Sequence, residues 1–460
     1  MPVISQFVSH LNYKLNQLFL QSSPLCLYSP LAISDIILML YFGSSGKTLQ
    51  EICAAFGFNN PTDIDTTSLI NDMTNIYKMY LPTQNNGNIR MSNGIFVEST
   101  YFNKIQPRYH QLLKQFGTVM QCEFMGSAAL TMQKLNTWAG YATNGVIKSL
   151  FNQHDVVPTT TMMIISLVYI KSQWKYPFPR GLTDINVFIQ PNQQYRKIPF
   201  MTQINEFDYY ENDDMQIVEM EYTNPDFVFG IILPKIGKNI AETFINTNVL
   251  QLHNYNYNNE NNDNGKADND KVEVNESNSI NESNSINESN SINENNINND
   301  SNGDSNRNND KPIDLFKRCN VNIKMPKFSY QLRTDLVNYF KHLGMNNMFN
   351  NRASGLEQIS NQRDFFVSSI IHESIIIVEE GGDPKTLKKN NDIQLQLQMQ
   401  SQLSTKSMIS LMPPELMTKQ GIFSTKSPVK PTISFCANRI FQYYVLQKSM
   451  NTIISQGIYA

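Results

Sequence analysis

The chain has 460 residues, enough for one large domain or up to three of ordinary size. Hydrophobic residues make up 40% of it, with 26 Phe and 21 Tyr, which supplies a sizeable core. A net charge of −3 gives no electrostatic case for nucleic acid or an anionic membrane as partner.

The first residues place Ile4, Phe7, Val8, Leu11, Leu15, Leu18 and Phe19 at three- and four-residue spacing, which predicts an amphipathic helix. They have no basic start and no continuous apolar run, so they do not read as a cleaved signal peptide. This predicts a cytoplasmic protein, with export by a non-standard route as the alternative. The five cysteines, Cys26, Cys53, Cys122, Cys319 and Cys436, are scattered and form no C-x-x-C, as expected of free thiols rather than a disulfide framework or a zinc site. Leu31 to Phe42 is strongly apolar but short, and Asp35 interrupts it; it reads as a buried helix and not as a membrane span. Amphipathic helices fill much of 1–150. Ile164 to Ile170 reads as a buried strand, and so does Phe227 to Leu233, which Pro234 closes.

Residues 254–311 carry twelve acids and four bases and contain NESNSI three times, at 275–280, 281–286 and 287–292. Such a tract lacks the apolar surface to offset its ordering entropy, and we read it as a disordered insertion. The sequons at Asn275, Asn281 and Asn287 follow from the biased composition. Beyond it, Val321 to Met325 alternates as a strand does, 330–345 reads as helical, and Ser369 to Val378 reads as a long strand. The 383–426 stretch holds DPKTLKKNN, IQLQLQMQSQL and MPPELMTKQG, an irregular region with some strand character. Phe441, Tyr443 and Val445 alternate near the end. Strands and helices are interspersed without β-α-β spacing, which argues for α+β with mixed sheets.

No catalytic or metal constellation emerges. Gly43-Ser-Ser-Gly46-Lys47-Thr48 looks like the tail of a phosphate-binding loop, but Tyr41 stands where a glycine is needed, and a helix precedes it instead of a strand. His372-Glu373 is followed by Ile376 where a zinc-protease helix needs His. There is no G-x-S-x-G elbow. The chain is expected to be no enzyme and to use no cofactor and no metal.

An ordered set of motifs along nearly the whole chain resembles the serpin family. Tyr28-Ser29-Pro30-Leu31 through Phe42-Gly43 resembles its "SPLS…LGA" helix, and Asn93-Gly-Ile-Phe96 its "ANxLF" strand. Leu135-Asn136-Thr-Trp138 with Thr143 to Ile147 resembles "INxWV…TxGKI". Trp174, Phe178, Thr183 and Phe188 keep its W-x3-F-x4-T-x4-F spacing. Met325 to Phe328 resembles "LPKF", Leu343 to Phe349 "LGMxxxF", and Val367, Ser368 and His372 "VSxVxHKA". Val378-Glu379-Glu380-Gly381 resembles "VNEEG", and Phe435 to Phe441 "FxANRPF", with Gly457 in the closing strand.

The resemblance implies a single domain over 1–460, three β-sheets, eight or nine helices, and an exposed reactive-centre loop over 383–426. It implies a covalent suicide inhibitor of an endopeptidase, a monomer with no nucleic-acid or membrane partner. The protease attacks the loop, forms an acyl-enzyme, and is carried off as the hinge inserts into the central sheet. The family's spacing places the scissile bond at Lys426-Ser427, a bait for a trypsin-like serine protease, with a cysteine protease as a second possible target. Met408 to Met412 is an alternative bait. A polar cluster that controls sheet opening maps to Ser29 and His372, with Ala32 and Ser166 where the family has Ser and Asn, and Trp174 at the top of the sheet. Ser166 is expected to keep hydrogen bonding in that cluster.

The hinge, Glu379, Glu380, Gly381, Gly382 and Pro384, departs from the family. Small residues are expected after it, and this chain has Asp383-Pro384-Lys385-Thr386-Leu387-Lys388. With Gly382, Pro384, Thr386 and Lys388 as the inward positions, Pro384 cannot donate its ladder bond and Lys388 is buried unpaired. The 47 residues from Glu379 to Lys426 also leave slack on the order of 100 Å at about 3.3 Å per surplus residue. A non-inhibitory binding or storage role is therefore the second reading.

Excising 254–311 is expected to leave the melting temperature nearly unchanged, since loop-closure entropy varies slowly with length. A calorimetric fall of about ten degrees or more would mean that the tract packs on the core.

Overall fold

The computed structural model describes residues 3–22, 25–80, 89–143, 145–253, 315–381 and 432–460. Among the described residues, those within Met1–Leu250 and Phe316–Ala460 form one compact unit. The tract at 254–311, the loop at 383–426, and the site residues Gly382, Pro384, Lys426 and Ser427 lie outside the described residues.

The first helix spans Val3–Ser22 and buries Ile4, Phe7, Val8, Leu11, Leu15 and Phe19, the stripe its spacing predicts. The next spans Pro30–Gly43. Pro30 opens it, and the Ser29 hydroxyl caps it by accepting the Ala32 amide at 3.1 Å. All its residues except Phe42 are buried, so it is a core helix without a solvent face. Eight further α-helical segments bring the number to ten among the described residues: Gly46–Ala55, Thr66–Tyr80, Ser99–Phe102, Pro107–Leu113, Ala128–Ala142, Ile240–Asn246, Val249–His253 and Val337–His342. The count exceeds eight or nine because it includes single turns such as Ser99–Phe102.

The strands are β1 (Leu27–Tyr28), β2 (Ile89–Glu98), β3 (Thr118–Cys122), β4 (Met162–Ile170), β5 (Asp184–Ile189), β6 (Tyr195–Glu211) and β7 (Met215–Glu221). They continue with β8 (Phe227–Pro234), β9 (Lys317–Pro326), β10 (Phe328–Asp335), β11 (Val367–Val378), β12 (Ile433–Cys436), β13 (Phe441–Gln447) and β14 (Thr452–Tyr459). One ladder runs β10-β11-β4-β2-β3. The other has nine strands, β1-β14-β13-β8-β7-β6-β9-β12 with β5 also on β6. Two of the three expected sheets are thus joined by hydrogen bonds. The cause is the 17-residue β6, whose start pairs with β5, whose end pairs with β7, and whose Phe200 to Tyr209 pairs with β9.

Two local expectations are corrected. Residues 330–335 are strand, not helix, because they belong to the pairing with β11 that runs from Phe328↔Val378 to Asp335↔Ile371; only Val337–His342 is helical there. In β13 all seven residues are buried, not alternate ones. On one face Phe441 and Tyr443 meet Phe328 and Tyr459, with Phe328 and Tyr459 rings 4.7 Å apart. On the other, Gln442 reaches Asn16 of the first helix, and Tyr444 lies across Gly230 and donates to the buried Glu219 at 2.7 Å. A Cβ at Gly230 would stand 2.0 Å from the Tyr444 ring, so glycine is required there.

Asp35, the interruption in the apolar helix, is itself buried. Its Oδ2 accepts from Asn93 Nδ2 at 3.0 Å. Burial raises its carboxyl to about 8, against the opposing effect of that bond. The unfolded chain releases this proton near 3.8 and the folded chain near 8. Folding therefore takes up a proton between those values, and this group's contribution to stability falls from about pH 4 to about pH 8 and is level above. Asp35→Asn keeps the bond from Asn93 and removes the titration. It is expected to raise the melting temperature by several degrees at pH 7 and by little at pH 4. A variant no more stable than wild type at pH 7, in a fluorimetric melt, would show that the folded chain holds an ionised carboxylate here.

Candidate functional site

The site of interest is the seam between β4 and β11 and the end where β11 stops. The two strands pair directly and in parallel, from Val367↔Met162 to Ile376↔Ile170, with one irregularity between Val367 and Ser369. At that irregularity Thr161 ties the strands: its amide donates to Ser368 Oγ, and its hydroxyl bonds the Phe366 backbone.

Beneath the middle of the seam lies His372, fully buried. Its Nε2 accepts the Ser29 amide at 3.0 Å. An amide can only donate, so Nε2 carries the lone pair and Nδ1 the proton. Burial lowers the pKa of this imidazole to about 3, which keeps it neutral. Ser374 Oγ also lies 2.9 Å from Nε2. The Ser29 hydroxyl donates to the Ile454 carbonyl while capping its helix. Ser29 and His372 are thus brought together. Ser166 stands in the same row, paired with His372 on one side and Asn93 on the other. Its hydroxyl makes no hydrogen bond, contrary to expectation: the short side chain reaches no partner. Sequence reasoning missed Asn93, Asp35 and Ser374, which complete the polar contacts here. The one available signal was an acid in an otherwise apolar helix.

The opposite face of the seam is covered by the helix Ala128–Ala142. Leu135, Trp138, Ala139, Ala142 and Phe151 pack with Ile165, Leu167, Ile371 and Ile375. Arg333 fastens this cover, donating to Asp155 at 2.8 Å and to the Leu150 carbonyl at 3.0 Å. Glu373 is buried on the same strand and accepts from Gln331 at 2.6 Å; burial raises its pKa.

At the end of β11 the residues expected to begin the hinge meet Trp174. The indole donates to the Glu379 carbonyl at 2.7 Å and stacks on Tyr222, with ring centroids 4.9 Å apart. The Glu379 carboxylate pairs with Lys171 at 2.9 Å. Glu380 pairs with Lys327 at 2.7 Å and accepts from Thr183 at 3.0 Å, while its carbonyl accepts the Phe178 amide. Burial alone raises the Glu380 pKa, but Lys327, its own amide and Thr183 outweigh this and leave it lowered. Gly381 has φ +70, and a Cβ there would stand 3.0 Å from the Trp174 ring, so glycine fits this position.

Nothing else assembles into a reaction centre among the described residues. No group of three or more His, Cys, Asp or Glu is placed to hold a metal. The five cysteines are free. The glycines at 43 and 46 join two helices, and Ser45 and Thr48 are taken up by Glu357 and the Ser354 carbonyl. No described helix is long and apolar enough to cross a membrane.

Comparison with known proteins agrees with this geometry. The family profile described as serpin (serine protease inhibitor) matches residues 9–274 and 289–460, so its gap falls in the NESNSI repeats. An uncharacterised serpin-like protein of Acanthamoeba polyphaga mimivirus is 24% identical over 356 residues, 77% of this chain and 71% of its own length. A serine protease inhibitor of Cyanea capillata is 24% identical over 357 residues, 77% of this chain and 79% of its own length. The solved structure of human thyroxine-binding globulin shares the fold, with a TM-score of 0.69 at 17% identity, covering 99% of this chain and 98% of that one. With its motifs in order, its strand topology and a family match over nearly its whole length, the chain belongs to the serpin family.

Proposed function

We propose that the chain is a covalent suicide inhibitor of a serine endopeptidase, one that loses many of its encounters to substrate turnover. The observation that carries this reading is the directly paired β4–β11 seam, with the start of the hinge clasped at its end by Trp174, Lys171 and Lys327. A sheet closed along that line is the starting state that strand insertion requires. The resemblance places the insertable segment immediately after Gly381. The single domain over 1–460 carries 254–311 as an insertion and 383–426 as the bait loop. Lys426-Ser427 is the scissile bond, and a trypsin-like protease is the target class, since a basic residue suits a pocket carrying a carboxylate. Cysteine proteases form the second target class. The chain acts as a bait and not as a catalyst, as a cytoplasmic monomer.

The loss to turnover is argued from the hinge sequence. Pro384 cannot donate in a central strand, Lys385 and Lys388 stand where the family has small residues, and the long tether slackens the pull on the protease. The same observation favours a second reading, a non-inhibitory binding or storage protein. Thyroxine-binding globulin, which shares the fold, is named for binding thyroxine.

Incubation with trypsin is expected to give mostly cleaved chain and a minor SDS-stable complex, with little gain in melting temperature on cleavage. Pro384→Ala with Lys385→Ala and Lys388→Ala, in a loop shortened to family length, is expected to raise the trapped fraction severalfold. A complex from neither form, across trypsin-like and cysteine proteases, sinks the inhibitory reading and leaves the second. One-to-one trapping by the wild type, with a gain of tens of degrees, sinks the argument from the hinge.

A further inference from the structure

At one end of the nine-stranded sheet, three connections enclose a cavity that none of the chemistry above uses. They are the β5–β6 turn at 190–194, the turn after β8 at 234–238, and the link from β12 to β13 at 438–440. The space measures about 440 Å³, within the usual range for small-ligand pockets. The apolar part of its lining is Ile189, Pro191, Pro234, Ile236, Ile240 and Ile440. Ile236 is 88% exposed on the rim.

The walls are preformed. The Gln190 amide donates to the Gln194 carbonyl at 2.9 Å, and Gln193 holds φ +64, so the first turn is tight. The second turn closes through the Lys238 amide to the Lys235 carbonyl at 3.1 Å, with Gly237 at φ +87. The Ile189 amide donates to the Asn438 carbonyl at 2.8 Å and ties the first wall to the floor.

The charges in and around the cavity are unevenly satisfied. Lys235 pairs with Glu211 and Lys238 with Asp214, each at 2.8 Å. Arg439 in the floor is half-buried, and its partners are neutral. Nε and one terminal nitrogen donate to the Pro234 carbonyl, and the other terminal nitrogen donates weakly to Asn438 Oδ1 at 3.4 Å. That leaves one N–H on each terminal nitrogen without a partner among the described residues. Two such N–H groups on one guanidinium match the two oxygens of a carboxylate.

We propose that this cavity binds a small apolar monocarboxylate, its hydrocarbon between Pro191, Ile236 and Ile240 and its carboxylate bidentate on Arg439. The acid group supplies the counter-charge that the half-buried guanidinium lacks among the described residues, and the hydrocarbon covers the exposed isoleucine. The site stands apart from the seam and the hinge and does not depend on whether the chain traps a protease.

Calorimetric titration of the full chain with octanoate tests this, with octan-1-ol as the probe lacking the charge. Octanoate is expected to bind saturably at one site, and octan-1-ol at least tenfold more weakly. Ile236→Glu, at an exposed position, sets a like charge at the rim and is expected to weaken octanoate at least tenfold without moving the melting temperature. Arg439→Lys, which keeps the charge but loses the fork, is expected to weaken it severalfold. The proposal is overturned if octanoate fails to saturate below about 1 mM, if the alcohol binds as well, or if octanoate binding survives Ile236→Glu unchanged.

Discussion

A helix apolar on every side has to be covered on every side, and Pro30–Gly43 is such a helix. The Val3–Ser22 helix, β14 of one sheet, and β2 and β4 of the other all pack on it. The chain therefore closes both sheets around one buried rod. The rod also fixes the polar chemistry at the centre, because its capping residue and its one acid have to be bonded where they are buried. Ser29 offers its amide to His372 and its hydroxyl to the Ile454 carbonyl. Asp35 takes the side-chain amide of Asn93. Through these bonds a single helix holds β2, β11 and β14 together.

The same arrangement leaves the five-stranded sheet less than fully satisfied. Ser34 Oγ, Asp35 Oδ1, Asn93 Oδ1, Ser166 Oγ and His372 Nδ1 are buried without a hydrogen-bond partner among the described residues. A buried polar atom left without a partner costs about 1–3 kcal/mol. These atoms belong to the helix and to the β2-β4-β11 rows that it faces, so this part of the cost falls at the seam. The ends of the seam are held by other means, through Thr161 at one and through Trp174, Lys171 and Lys327 at the other. The weakly satisfied centre and the well-bonded ends describe a sheet whose closure depends on its ends and on its cover. Arg333 fastens that cover.

Much of this was written in local sequence. The stripe from Ile4 to Phe19, the apolar run from Leu31 to Phe42, the buried strand at 164–170, and the strand at 321–325 all kept their type, because hydrophobic period and turn residues are local properties. The ordered motifs carried the family. Ser29, His372, Trp174, Glu379, Glu380 and Gly381 were found by resemblance, and each lies in or beside the seam. Ser166 was placed in the correct row but credited with a bond it does not make, since side-chain reach is set by backbone spacing that sequence does not state.

What only the tertiary structure decided were properties that belong to pairs of distant segments. Residues 330–335 read as helical alone and are strand because β11 lies beside them. The alternation of Phe441, Tyr443 and Val445 gave way to a strand buried on both faces, because a second sheet covers one side and the first helix the other. Asp35 read as an interruption and is instead a buried group bonded by Asn93, since only the fold brings Asn93 to it across 58 residues of chain. The cavity over Arg439 depends on three connections far apart in sequence. Sequence by itself determined the local elements and the family, because these rest on periodicity and motif order. The seam, its buried polar atoms and the neutral partners of Arg439 among the described residues were decided by tertiary contact, because burial and partnership depend on which surfaces meet.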